Sequence, residues 1–337
     1  TPGLNSLRLG STVLGDAASG GATYTGAYTA GTNGYLFGGG GVATKLIVGA
    51  GVLSGATAVN VAGNGITELN TANVNTGDTR ATGGTLYLNH ANAAQSVTAL
   101  TTVGTTPTAG GAILLNPATV YAGPGVTLDN GAIGWSGNYT ITGLPGTYST
   151  TTVAGTAGVT PVKLLNLGGT HSTGTMSQDG TYALQDDAGP IAVEVVKSGV
   201  NSTLDLTNAP VGGNLFTGGM DIVGGTVVFN NVNQLGAGVS GGTARVAVGA
   251  GGILQLPAQP VPTTVTIPTQ LDPNGGNLFA SATAATIDVA GANDKITFTQ
   301  QLFQQVNRDA IRKVGPGTLE ILGGSSLSFA TKSSWGV

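Results

Sequence analysis

The chain has 337 residues, of which 59 are Gly, 8% are charged and none is Cys, and its formal net charge is −4. That balance leaves no basic footprint for nucleic acid and lacks the high net charge that usually accompanies disorder. The best candidate for a membrane span, 46–59, is uncharged but shorter than the ~20 residues a spanning helix needs.

The surface is therefore expected to be Thr, Ser, Asn and Gly rather than Lys and Glu. The lack of Cys leans towards export. The opening Thr1-Pro2-Gly3-Leu4 has neither the basic nor the apolar region of a signal peptide. This suggests a fragment whose first residues are already repeat.

In chain order, short stretches, most with two large apolar residues two positions apart, fall at 6–9, 45–48, 85–88, 112–115, 125–128, 203–206, 226–229, 245–248, 253–256, 264–267, 286–289, 295–298, 318–321 and 326–329. Alternate side chains of a strand share a face, so each pair marks one buried face. Gly, Asn, Asp or Pro follows within a few residues and marks a turn. Residues 81–162 carry one charged residue, Asp129, and are dense in Thr. They are expected as irregular rungs with Thr-rich outer faces. Helical spacing arises only at 298–315, through Leu302, Val306 and Ile311, beside the charges Arg308, Asp309, Arg312 and Lys313. A short helix and continued strands are both open there.

The spacing of the apolar pairs points to stacked rungs. Leu204 to Val227 is 23 residues, Val265 to Ile287 is 22, and Ile296 to Leu319 is 23. A rung of roughly 20–25 residues built from two or three short strands is the signature of a solenoid. A β-sandwich also places strands every ~8–12 residues. High Gly and only 5% aromatic residues favour the solenoid. With no hinge visible, 1–337 is expected as one continuous β-solenoid, with irregular Thr/Gly-rich rungs over 1–190, and with one complete repeat from 197 and the start of another at 313 within 191–337. Its inner face is expected to carry Leu204, Leu206, Val227, Phe229, Leu254, Leu256, Leu319 and Ile321.

The stretch 195–236 resembles the autotransporter-associated β-strand repeat, also called the passenger-associated transport repeat. The matching residues are Lys197, Gly199, Thr203-Leu204, Leu206, Thr217-Gly218-Gly219, Ile222, Gly225-Thr226-Val227 and Leu235-Gly236. It departs from the repeat at Asn201-Ser202. A second start appears at Lys313, Gly315, Gly317-Thr318-Leu319 and Ile321, 116 residues after Lys197. The resemblance covers about 60 residues explicitly. It implies an all-β, right-handed parallel β-helix with little or no helix, in secreted or cell-surface proteins of Gram-negative bacteria. It also implies roles in adhesins and surface structures, and carries no chemistry.

Residues that could carry chemistry are few. His90 has no acidic neighbour, and His171 lies eight residues before Asp179; both are expected as solvent-facing turn histidines. Gly236 to Gly241 matches a dinucleotide fingerprint literally, but a strand rather than a helix is expected to follow it. A carbohydrate-active β-helix would gather acidic and basic side chains in a groove. The candidates are Asp186, Asp187 and Glu194, with Lys163 or Lys197. Asp186 and Asp187 could also serve calcium, although a plain turn accounts for "DDAGP". The clustered Thr lack the constant period of an ice-binding face. Tyr24, Tyr28, Tyr35 and Trp135 are candidate ligand contacts or corner packing.

The expectation is a non-enzymatic structural or adhesive extracellular protein, a segment of a longer surface or fibre-forming β-helix, with no cofactor. Its partners would be itself or adjoining repeats end to end, and cell-surface glycans or proteins. The competing expectation is a polysaccharide lyase or hydrolase.

Overall fold

The computed structural model describes residues 8–38, 40–94, 100–103, 111–118, 126–129, 131–143, 148, 152, 155, 157–249, 251–273, 285–300, 302 and 311–322. Among these the chain is nearly all β, with long parallel ladders and almost no helix, as a parallel β-helix requires. It packs as two compact units, the first Thr1–Tyr139, Pro145–Thr151 and Asn166–Gly174, the second Thr140–Leu144, Thr152–Leu165 and Thr175–Val337.

In the first unit, one ladder runs Ala22–Tyr24, Lys45–Val48, Ile66–Leu69, Thr85–Leu88, Ala112–Leu115 and Ala132–Trp135. Another runs Tyr35–Phe37, Val59–Val61, Thr79–Ala81, Leu100–Val103 and Val126–Asp129. Parallel pairing puts equivalent positions of successive rungs in columns. Leu46, Thr67, Leu86, Ile113 and Ile133 form one, and Val48, Leu69, Leu88, Leu115 and Trp135 the next. The opposite face carries Ile66, Tyr87 and Leu114, which pack with Ala17 of the preceding segment. Both faces of this ladder are thus covered, so a strand such as Ile66–Leu69 is buried at every position.

In the second unit, Ala192–Lys197, Gly219–Ile222, Val246–Val248 and Leu271–Asp272 pair in turn. So do Ser202–Asp205, Gly225–Val228, Gly252–Leu256, Ala285–Val289 and Ile311–Val314. A third ladder holds Thr264–Ile267, Lys295–Phe298 and Thr318–Ile321. Leu204, Val227, Leu254 and Ile287 form a fully buried column, as do Val195, Met220, Val246 and Leu271. Fully burying an aliphatic side chain is worth roughly 1.5–3 kcal/mol, so these columns are the main source of cohesion between rungs.

Two of the three spacings are true registers: Leu204 pairs with Val227, and Ile296 with Leu319. The third is not. Val265 pairs with Ile296, and Ile287 with Leu254. These strands lie in different ladders, and the rung between them is longer than its neighbours. At 298–315 the chain is strand at both ends, Lys295–Phe298 and Ile311–Val314. Most of the middle, like the stretch 326–329, lies outside the described residues.

Among the described residues, helix is confined to a 3-10 turn, Val232–Leu235, and one α turn, Ala237–Ser240. The first is set by a capping box. The Asn231 side chain accepts from Asn233 N, and Gln234 Oε1 accepts from Asn231 N. The second lies inside the dinucleotide-like stretch, where only loop and strand were expected. Within it Gly238 N donates to Phe216 O and Ser240 N to Gly236 O.

Candidate functional site

Three of the repeat-like residues, Lys197, Gly199 and Gly225, meet at one corner of the second unit. Lys197 ends its strand on the inward side, in register with Ile222 and Val248. Its stem fills the core and its ammonium turns into the corner that follows. There Nζ donates to Ser198 O at 2.6 Å, Gly199 O at 3.0 Å, Gly224 O at 3.1 Å and Ser202 Oγ at 2.9 Å. The side chain is fully buried. Burial pushes the amine down to about 7. The acceptor cage opposes that shift, because only the ammonium form has three hydrogens to give.

Gly225 closes this corner from the next rung. A Cβ there would lie 2.3 Å from Ser202 O, 2.4 Å from Gly199 O and 2.7 Å from Lys197 Nζ, at a φ of +72°. Lys313 repeats the device: its Nζ donates to Val314 O at 3.0 Å and Gly315 O at 2.7 Å. Yet Lys313 pairs with Ile287, in a different ladder from Lys197. The two motif starts make the same kind of corner at different places in the fold. Gly317 lies against Val289 and Gly291, while Leu319 and Ile321 continue the columns of Ile296 and Phe298.

Gly218 and Gly219 form a docking notch. A Cβ on Gly218 would strike the Val193–Glu194 peptide at 2.5–2.6 Å. On Gly219, at a φ of +98°, it would lie 2.4 Å from Ala157 Cβ. Ala157 fills the notch: its N–H donates to Glu194 Oε2 at 3.1 Å, and its carbonyl accepts from Arg245 N at 2.9 Å.

The acidic candidates are used separately. Asp186 Oδ1 accepts from Val193 N and Thr217 N, and Oδ2 from Thr217 Oγ1. Asp187 pairs with Lys163 at 2.5 Å, Glu194 holds Ala157, and Lys197 holds its corner. Among the described residues no group of three or more His, Asp or Glu is placed to hold a metal ion. The Lys163 hydrogen bond is the main cause holding the Asp187 carboxyl below its usual range. Lys163→Met should therefore raise the Asp187 carboxyl titration in a ¹³C NMR pH series. The stabilisation from this pair is present above the ordinary Asp range and is lost as pH falls through the lowered value.

A polar chain that the sequence did not announce crosses the first unit's outward ladder face. Lys45 Nζ sits 3.0 Å from Glu68 Oε2, both side chains being buried. Asn89 Nδ2 donates to Glu68 Oε1 at 2.7 Å, and Asn116 Nδ2 to Asn89 Oδ1 at 2.6 Å. The Tyr87 hydroxyl bonds Ser136 Oγ at 2.7 Å, and burial pushes its pKa up. Each Lys–Glu–Asn–Asn link spans one rung, so the chain fastens four rungs in register. Gly21 seals it: a Cβ there would lie 3.0 Å from Lys45.

Both histidines lie at turns and are half-buried. His90 Nδ1 accepts from Asn92 N at 3.0 Å, a local turn bond. His171 is half-buried and bridges distant segments, with Nε2 donating to Val42 O at 2.8 Å and Nδ1 bonded to Thr85 Oγ1 at 2.7 Å. Its partners are 129 and 86 residues away, beyond the reach of local sequence patterns. The aromatic candidates are packed. Tyr28, Tyr35 and Phe37 form one cluster, Trp135 is fully buried against Tyr139, and the Tyr24 hydroxyl donates to Ala27 O.

No protein-family model, curated protein or solved structure matches the chain in comparisons against each.

Proposed function

We propose that this chain is a structural or adhesive segment of a longer, right-handed β-helix exported to the surface of a Gram-negative bacterium. The observation that carries the reading is where the charges go. Lys197, Lys313, Lys45 with Glu68, Asp186 and Glu194 each fasten a corner, a loop or a neighbouring rung. These uncommon charged groups serve construction. The likeness of 195–236 and 313–321 to the passenger-associated repeat supports the location.

Sedimentation velocity across a wide concentration range tests the fibre-forming part. Concentration-dependent growth into longer species is expected, and a monodisperse monomer at high concentration overturns it. A glycan array tests adhesion. Turnover of any acidic polysaccharide in a panel would replace this reading with the enzymatic one.

A further inference from the structure

One rung of the first unit breaks the apolar core. The preceding rung buries Leu46, Val48, Val52, Leu53, Val59 and Val61. The following one buries Leu86, Leu88, Ala93 and Ala94. Between them the chain buries Thr67, Asn73, Asn75 and Thr79, with Leu69 the one large aliphatic at the equivalent positions. The placement is fixed by register: Thr67 stacks between Leu46 and Leu86, Thr79 pairs with Val59, and Ala81 with Val61. Asn73 and Asn75 alternate with exposed Ala72, Val74 and Thr76, so both amides point into the buried side.

Among the described residues, five buried polar atoms of this rung find no hydrogen-bond partner: Thr67 Oγ1, Thr71 Oγ1, Asn73 Oδ1, Asn75 Nδ2 and Thr79 Oγ1. The side chains of Thr67, Asn73, Asn75 and Thr79 are at most 1% exposed. Burying such groups without partners is costly. Thr67 is also smaller than Leu46 and Leu86, which flank it in register. The orphaned set contains a pure donor, a pure acceptor and three hydroxyls that can act as either. A cation would serve Asn73 Oδ1 but not Asn75 Nδ2, and an anion the reverse. Water serves both, and a buried water typically makes about three hydrogen bonds.

We infer that the rung from Thr67 to Thr79 is a hydrated layer, binding ordered water inside an otherwise apolar core. Water magnetic relaxation dispersion on the full chain counts long-lived internal waters. The triple variant Thr67→Val, Asn75→Leu, Thr79→Val should lose at least one, with its far-UV circular dichroism unchanged. Thr67→Val alone, which exchanges a hydroxyl for a methyl, should lower the thermal midpoint because it breaks a water-mediated bond. It carries the test by itself if the triple variant does not fold. An unchanged water count, or a midpoint raised by Thr67→Val as a dry orphaned hydroxyl demands, overturns the inference.

Discussion

Replacing Lys197 by Met should destabilise the second unit by about 3 kcal/mol, because it removes a charged donor from several buried acceptors. Met keeps most of the stem's volume, so the loss isolates the ammonium. Ser202 Oγ still donates to Gly199 O, but Ser198 O and Gly224 O lose a donor inside the corner. Lys197→Arg should not rescue it, since the larger guanidinium meets the backbone of Gly225. Lys313→Met provides the contrast. Its corner is partly open to water, so the expected loss is below ~1 kcal/mol. Urea denaturation, with hydrogen exchange at the amides of 219–229, measures both. A Lys197→Met protein as stable as the parent would mean that the corner closes without its lysine.

Gly219→Ala should cost on the order of 3–4 kcal/mol, by two mechanisms that can be separated. An L-residue in left-handed backbone costs ~1–2 kcal/mol. The remainder is the collision with Ala157 Cβ at 2.4 Å and Arg245 O at 2.8 Å. Ala157→Gly removes the first contact. The double variant should therefore be more stable than the two single losses predict, by roughly 0.5–3 kcal/mol of coupling. Strict additivity would show that Ala157 does not occupy the Gly219 notch in solution.

The strands legible in the sequence are those with large apolar pairs, such as Lys45–Val48, Thr85–Leu88 and Thr264–Ile267. Thr79–Ala81 and Gly174–Gln178 were not legible, since they place Thr, Arg, Ser and Gly in the ladders. Ile66–Leu69 hid because Thr67 stands two positions before Leu69, where the apolar partner of the pair would be, and Glu68 is charged. The repeat motif located Lys197 and its glycines but not their task, which depends on carbonyls brought together by the turn and by the next rung. The Lys45–Glu68–Asn89–Asn116 chain was invisible because its links join residues 21 to 27 apart, and only register makes them neighbours. Asp186 and Asp187, adjacent in sequence, tie down different segments.

Lys197 and Lys313 build the same kind of corner in different ladders, so the recurring sequence is an instruction for turning rather than an address within the circuit. A gene that duplicates or inserts such a unit need not add a whole number of rungs. Each copy folds its own bend wherever the chain has arrived, provided the next stretch finds a strand edge to follow. Length can then change in unequal increments without a shared period. That permits rungs as different as the 23-residue step from Leu204 to Val227 and the 33-residue step from Leu254 to Ile287 to coexist in one ladder.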